Sequence, residues 1–161
     1  MKMRNALLFA VLSMGTLATS AQSPSIVGTW LLTAADKLLP DGTRTSDFGD
    51  NPHGLGVFTA EGHYAVEIDR TDRGKFSSGD ARQETAEEYK EIFLGMTIHF
   101  GRYVVDPVKS TITFKIDRAS FSNWDDTTQV RTYELKADEL AWNVPPRPDG
   151  SAGITVLRRV Q

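Results

Sequence analysis

The residues of this chain best placed to do chemistry are two late arginines, one histidine and a group of inward-facing rings. Arg131 lies in a run from Thr127 to Leu135 whose alternation puts it on one face with Tyr133 and Leu135. A buried guanidinium without a partner costs several kcal/mol. Arg131 therefore needs either an aromatic face and backbone carbonyls, with Trp30 as the ring it would stack on, or the carboxylate of a bound ligand. Arg158 shares a face with Ile154 and Val156 and competes for the same tryptophan. If Arg158 covers Trp30, Arg131 is left to bind ligand. His99, on a face with Thr97, Gly101 and Tyr103, is either a base or proton shuttle or a satisfied structural histidine.

Tyr64, Phe58, Phe100, Phe114, Tyr133 and Trp142 either line a cavity or fill a core, and the two tyrosine hydroxyls need partners if they point inward. His63, Glu67 and Asp69 share an outer face, but four residues along a strand span about 13 Å. No metal site is expected there, and His53 belongs to a loop. Asp125 and Asp126 follow Asn123 and Trp124 in a turn. They would act as acid or base only if the turn folded over a cavity mouth. Nucleophile elbow, phosphate loop and dinucleotide fingerprint are all missing from the sequence, so no cofactor is expected.

The elements that must position these residues are short strands. Ile26, Gly28, Trp30 and Leu32 alternate onto one face of the first, which runs toward Leu39 and returns after the turn Pro40–Asp41–Gly42 as a possible hairpin arm from Thr43 to Phe48. Leu55–Ala60 and His63–Asp69 form the next pair, with Tyr64, Val66 and Ile68 inward. Asp80 to Gly95 reads as a helix. Asp80 and Gln83 have capping-box spacing, and Thr85, Tyr89, Ile92, Phe93 and Met96 make an apolar stripe that must lie on one end of the strands. Further strands run over Thr97–Val105, Thr111–Asp117, Thr127–Leu135, Glu139–Val144 and Gly153–Val160. Eight strands, or up to ten with the hairpin, suggest an all-β, single antiparallel up-and-down barrel with one inserted helix. Closure also removes sheet edges.

The chain has 161 residues and a formal charge of −3. Met1 to Ala21 has the basic start, short apolar stretch and small residues of a secretory signal peptide. Cleavage is expected after Ala21, or after Ser20. The remainder, residues 22–161, is one domain large enough to bury its own core. Losing Lys2 and Arg4 moves the charge from −3 to −5, which argues against nucleic acid or anionic membrane as a partner. The chain has no cysteine, so it has no disulfide, thiolate metal site or lipid-anchored cysteine. An exported protein without disulfides points to a bacterial envelope, periplasmic or secreted. No stable membrane insertion is expected after cleavage, and a monomer is expected.

Gly28-Thr29-Trp30, Asp41-Gly42, the Pro52, Gly54 and Gly56 approach, and Glu61-Gly62-His63-Tyr64 together resemble the bacterial lipocalin-like domain family. So do Phe100-Gly101-Arg102-Tyr103-Val104, Asn123-Trp124 and Gln129-Val130-Arg131. The resemblance spans Ile26 to Arg159. It implies a small β-barrel with a small-molecule cavity and no particular reaction. Secreted lipocalins proper usually add a disulfide and a C-terminal helix, which this sequence lacks. The expected function is therefore an exported module that holds a small apolar or amphipathic molecule. The ligand side chains would be Tyr64, Phe58, His99, Phe114, Arg131, Tyr133 and Trp142, with Gly28, Trp30 and Arg158 closing the barrel. A barrel enzyme of cyclase or isomerase type, and a ligand-free scaffold, stay open beside it.

Overall fold

The computed structural model describes residues 25–161; the expected signal peptide and its cleavage site lie outside them. Nine strands follow one another: β1 (Gly28–Leu38), β2 (Arg44–Ser46), β3 (His53–Phe58), β4 (His63–Asp69), β5 (Met96–Asp106), β6 (Thr111–Ala119), β7 (Thr128–Lys136), β8 (Glu139–Asn143) and β9 (Ala152–Arg159). One helix, α1 (Ala86–Leu94), joins β4 to β5, and a 3₁₀ turn, Ser122–Trp124, follows β6. Each strand pairs antiparallel with the next in the ring, and β1 also pairs with β9 from Trp30 to Leu38. The eight strands other than β2 thus close an up-and-down barrel with one inserted helix. β2 only extends the far half of β1, through Asp36–Leu38. Among the described residues no helix is long and apolar enough to cross a membrane.

The antiparallel order gives the barrel two unlike ends. At one end lie the start of β1, the end of β3, the start of β4 and the end of β9. This end is solid. Trp30, Phe58, Phe114, Trp142, Leu140 and Leu157 are all buried, and Tyr64 and Tyr103 pack their rings against Phe58. Trp30 donates from Nε1 to the Ile26 carbonyl at 2.8 Å, and the Arg159 guanidinium lies 4.1 Å from its ring centre. Arg159 Nη1 also donates to the Val27 carbonyl at 2.7 Å, so the arginine staples the incoming chain across the indole. Gly28 makes room for this: its φ is +137°, and a Cβ there would sit 2.9 Å from Arg159 Nη1.

Two expectations are corrected. The helix begins at Ala86, not Asp80, because Thr85 with Glu88 forms the full capping box. Asp80 instead closes a local turn onto Arg82 and Gln83. The inward face of β9 carries Gly153, Thr155 and Leu157; Arg158 is exposed, and its neighbour Arg159 takes the place over Trp30. Finally, the sheet carries two bulges. One lies between Leu32 and Ala34 and turns Ala35 inward, out of phase with Trp30 and Leu32. The other lies at Phe100–Gly101, where β6 comes so close that a Cβ on Gly101 would sit 2.1 Å from the Lys115 carbonyl oxygen.

Candidate functional site

The other end of the barrel is hollow. A cavity of about 480 Å³ opens there, between the start of β5 and β7 and the start of β9. Its sides are apolar: Phe48 from the β2–β3 connection, Ile68, Met96, Trp124 and Val144. Phe93 and Leu94, at the C-terminal end of α1, reach its mouth while staying 43% and 65% exposed. None of the residues of α1 is buried, so the helix rests lightly on the rim rather than on a full apolar seat. Across the mouth, the strap Pro145–Pro148 is tied down by a two-pronged ion pair between Arg147 and Asp47.

The floor of the cavity is polar. Val66, His99 and Arg131 reach it from β4, β5 and β7. Tyr64 Oη lies 2.9 Å from His99 Nδ1, and His99 Nε2 lies 3.5 Å from Arg131 Nη2. Arg131 donates from Nε and Nη2 to Gln129 Oε1, at 3.3 and 2.8 Å, and covers the Phe114 ring at 4.7 Å. Arginine has only donors. The His99 nitrogen facing it must then carry the lone pair, leaving Nδ1–H to donate to the Tyr64 oxygen. Burial draws His99 down to about 3, with the Arg131 charge adding to it, so the imidazole is neutral. Burial likewise draws Arg131 down to about 10 and pushes the Tyr64 phenol up.

No carboxylate among the described residues answers the Arg131 charge. Its hydrogen bonds go to a neutral amide and a neutral imidazole, and Nη1 has no partner among the described residues. Chemically, a buried cation with spare donors at the bottom of an apolar cup can pair with an anion.

Of the seven residues expected around a ligand, His99 and Arg131 line the cavity. Phe58, Tyr64, Phe114 and Trp142 point inward but belong to the solid end, below the floor, and Tyr133 packs beside them half-buried. Phe100 is on the outer face, 49% exposed. Arg131 stacks on Phe114, not on Trp30. Asp125 and Asp126 turn away from the mouth: Asp125 accepts from the Ala119 amide, and both pair with Arg118. Trp124, between them and the strand, is the residue of that turn that enters the cavity. Sequence reading missed Trp124, Phe48, Phe121, Gln129 and Thr155. Gln129 was within reach, being two residues before Arg131 on the same face. The loop aromatics obey no alternation and carried no such signal.

Residues 27–159 match the family model described as a lipocalin-like domain. No curated protein matches the chain. Among solved structures, a lipocalin-like protein from Bacteroides uniformis is 14% identical, with a TM-score of 0.44 over 83% of this chain and 97% of that one. A variant of the fluorescent protein UnaG is 17% identical, with a TM-score of 0.37 over 84% of this chain and 96% of that one.

Proposed function

The chain belongs to the lipocalin-like domain family, and we propose that it is an exported binding module for a small amphipathic molecule that is anionic at one end. The observation that carries this reading is Arg131: buried, without a carboxylate partner among the described residues, and facing a cavity of about 480 Å³ with apolar sides. That volume lies within the usual range for small-molecule sites. The anion would take the free donors of Arg131, with Gln129 and His99 fixing the guanidinium plane, and the apolar part would lie along Ile68, Met96 and Trp124. Tyr64, Phe58, Phe114, Tyr133 and Trp142 would support that floor from below. The working form would be a monomer in the periplasm or outside the cell, freed of residues 1–21.

Native mass spectrometry of protein purified from its own host tests the reading. The expected result is a co-purified acid in the native chain and none in Arg131→Gln, with circular dichroism unchanged. An empty barrel, or an acid retained without Arg131, overturns it. The Tyr64–His99 hydrogen bond favours a second reading, an acid–base enzyme of cyclase or isomerase type. A base works best with a pKa near the working pH, and His99 lies far below that. The enzyme reading therefore requires a bound anion to lift His99 toward neutrality, which titration of the imidazole by NMR with and without ligand would detect.

A further inference from the structure

Among the hydroxyls that line the cavity, one is deeply buried with nothing to bond. Ser120 Oγ accepts from the Ile98 amide at 3.1 Å, and Thr97 is only half-buried. Thr155, on the inward face of β9 between Gly153 and Leu157, is 4% exposed, and its Oγ1 has no hydrogen-bond partner among the described residues. Its cross-strand neighbours do not supply one. Ala35 has no polar side-chain atom, and Trp142 offers only Nε1, which is itself without a partner. That indole nitrogen is the one side-chain polar atom among the described residues that is both sealed off and unpartnered. The Thr155 hydroxyl, unpartnered but not sealed, therefore opens on the cavity that the residue lines, and so does Arg131 Nη1.

These two open groups stand on different strands. β8 lies between β7 and β9, so the backbones that carry Arg131 and Thr155 are roughly 10 Å apart along the sheet. In register, Thr155 is in line with Tyr133 through Trp142, one inward position beyond Arg131. The guanidinium leans the other way, since its contacts are Gln129 on β7 itself, His99 on β5 and Phe114 on β6. We propose that Thr155 is a second polar anchor of the cavity, and that the ligand is an acid bearing a hydroxyl or carbonyl oxygen several bonds from its carboxylate. This rests on the anionic-ligand reading above and narrows it. A ligand carbon laid against Thr155 would strip the hydroxyl of water and return no hydrogen bond, which costs free energy. A ligand oxygen returns the bond. The threonine hydroxyl both donates and accepts, so a ligand hydroxyl and a ligand carbonyl both serve. Sites that hydrogen-bond a ligand oxygen discriminate against the analogue that lacks it.

Calorimetric titration of the ligand-stripped full-length chain with dodecanoate and with 3-hydroxy-, 6-hydroxy- and 12-hydroxydodecanoate tests the proposal, because the series differs only in one oxygen and its position. At least one hydroxy acid is expected to bind at least fivefold tighter than dodecanoate. Thr155→Val keeps the branched shape and removes the hydroxyl. It is expected to shrink that margin below twofold while dodecanoate binds at least as tightly as before. Thr155→Ser keeps a hydroxyl and is expected to hold the margin at threefold or more. No hydroxy acid ahead of dodecanoate, a margin that survives in Thr155→Val, or one lost equally in Thr155→Ser overturns the second anchor and leaves the anionic-ligand reading standing. Binding of none of the acids overturns both.

Discussion

Replacing Arg131 with methionine should make the empty protein more stable while abolishing its binding. A guanidinium drawn down from its ordinary value to about 10 by burial has its charged form destabilised by about 3 kcal/mol. Because the folded value lies below the unfolded one, that penalty is full at pH 7. It lifts only as the pH climbs through about 10. The bonds to Gln129 return roughly 1–2 kcal/mol of it. Methionine removes the charge, fits the long side-chain track over Phe114 and, set against the buried arginine methylenes it replaces, adds apolar burial worth at most about 1 kcal/mol. The net expectation for Arg131→Met is a gain of roughly 1–3 kcal/mol, as found when other buried charges are replaced by apolar groups. For a chain of this length that is about 2–4 °C in Tm for each kcal/mol. Urea and thermal unfolding followed by circular dichroism at pH 7, on protein stripped of ligand, measure it. A loss of stability greater than about 1 kcal/mol would refute the reasoning, because it would mean that Arg131 is a structural group satisfied by the protein itself.

Arg159→Met should do the opposite and cost roughly 2–4 kcal/mol in urea unfolding, since Arg159 covers Trp30 and donates to the Val27 carbonyl, a stack and a charged hydrogen bond both lost. His99 gives a pH signature. Its folded value, about 3, lies below the ordinary 6.5, so the unfolded chain binds the extra proton and stability falls as the pH drops from 6.5 toward 3. Between pH 7.5 and 5, wild type should lose about 2 kcal/mol more than His99→Leu, and parallel curves would sink the idea. Ligand binding should quench tryptophan fluorescence through Trp124, which lines the cavity, whereas Trp30 and Trp142 are sealed in the solid end. A quench that survives in Trp124→Phe would place the ligand elsewhere.

The strands most legible in the sequence are those with one clean apolar face. In β4, β6 and β8 the alternation of Tyr64, Val66 and Ile68, of Ile112, Phe114 and Ile116, and of Leu140 and Trp142 matches the buried positions residue for residue. β9 misleads because its outer side chains, Ile154 and Val156, are apolar and half-buried while a buried inner position is threonine. The wrong face there led to Arg158 in place of Arg159. The helix start offered two capping signals five residues apart. The threonine-to-glutamate one wins because both halves of the box form, Glu88 reaching back to the Thr85 amide at 3.0 Å. The site was half legible for a different reason. Periodicity tells which side of a strand faces inward but not how far along the barrel axis a residue sits. Phe58, Tyr64, Phe114 and Trp142 read as inward in the sequence, and height alone separates them from the cavity.

That separation by height also explains how the fold tolerates its own site. The large rings and branched side chains gather around Trp30 and Arg159, where β1, β3, β4, β6, β8 and β9 each contribute a buried residue and the closing pair β1–β9 is formed. The other half of the barrel is given small or polar inward residues on β9 and β1, and its cavity is lined by rings from connecting segments, Phe48, Phe121 and Trp124. Apolar burial scales with the area removed from water, so the solid half supplies most of the stability and the hollow half contributes little. Arg131 sits on the boundary, its flat face against the last ring of the core and its donors toward the cavity. A charge one layer deeper would lose the space for a counter-anion, and one layer higher would be solvated at the mouth with nothing to gain from a ligand. Substitutions that reshape the open half should accordingly change what the barrel holds at small cost in stability, whereas the same volume changes around Trp30 should unfold it.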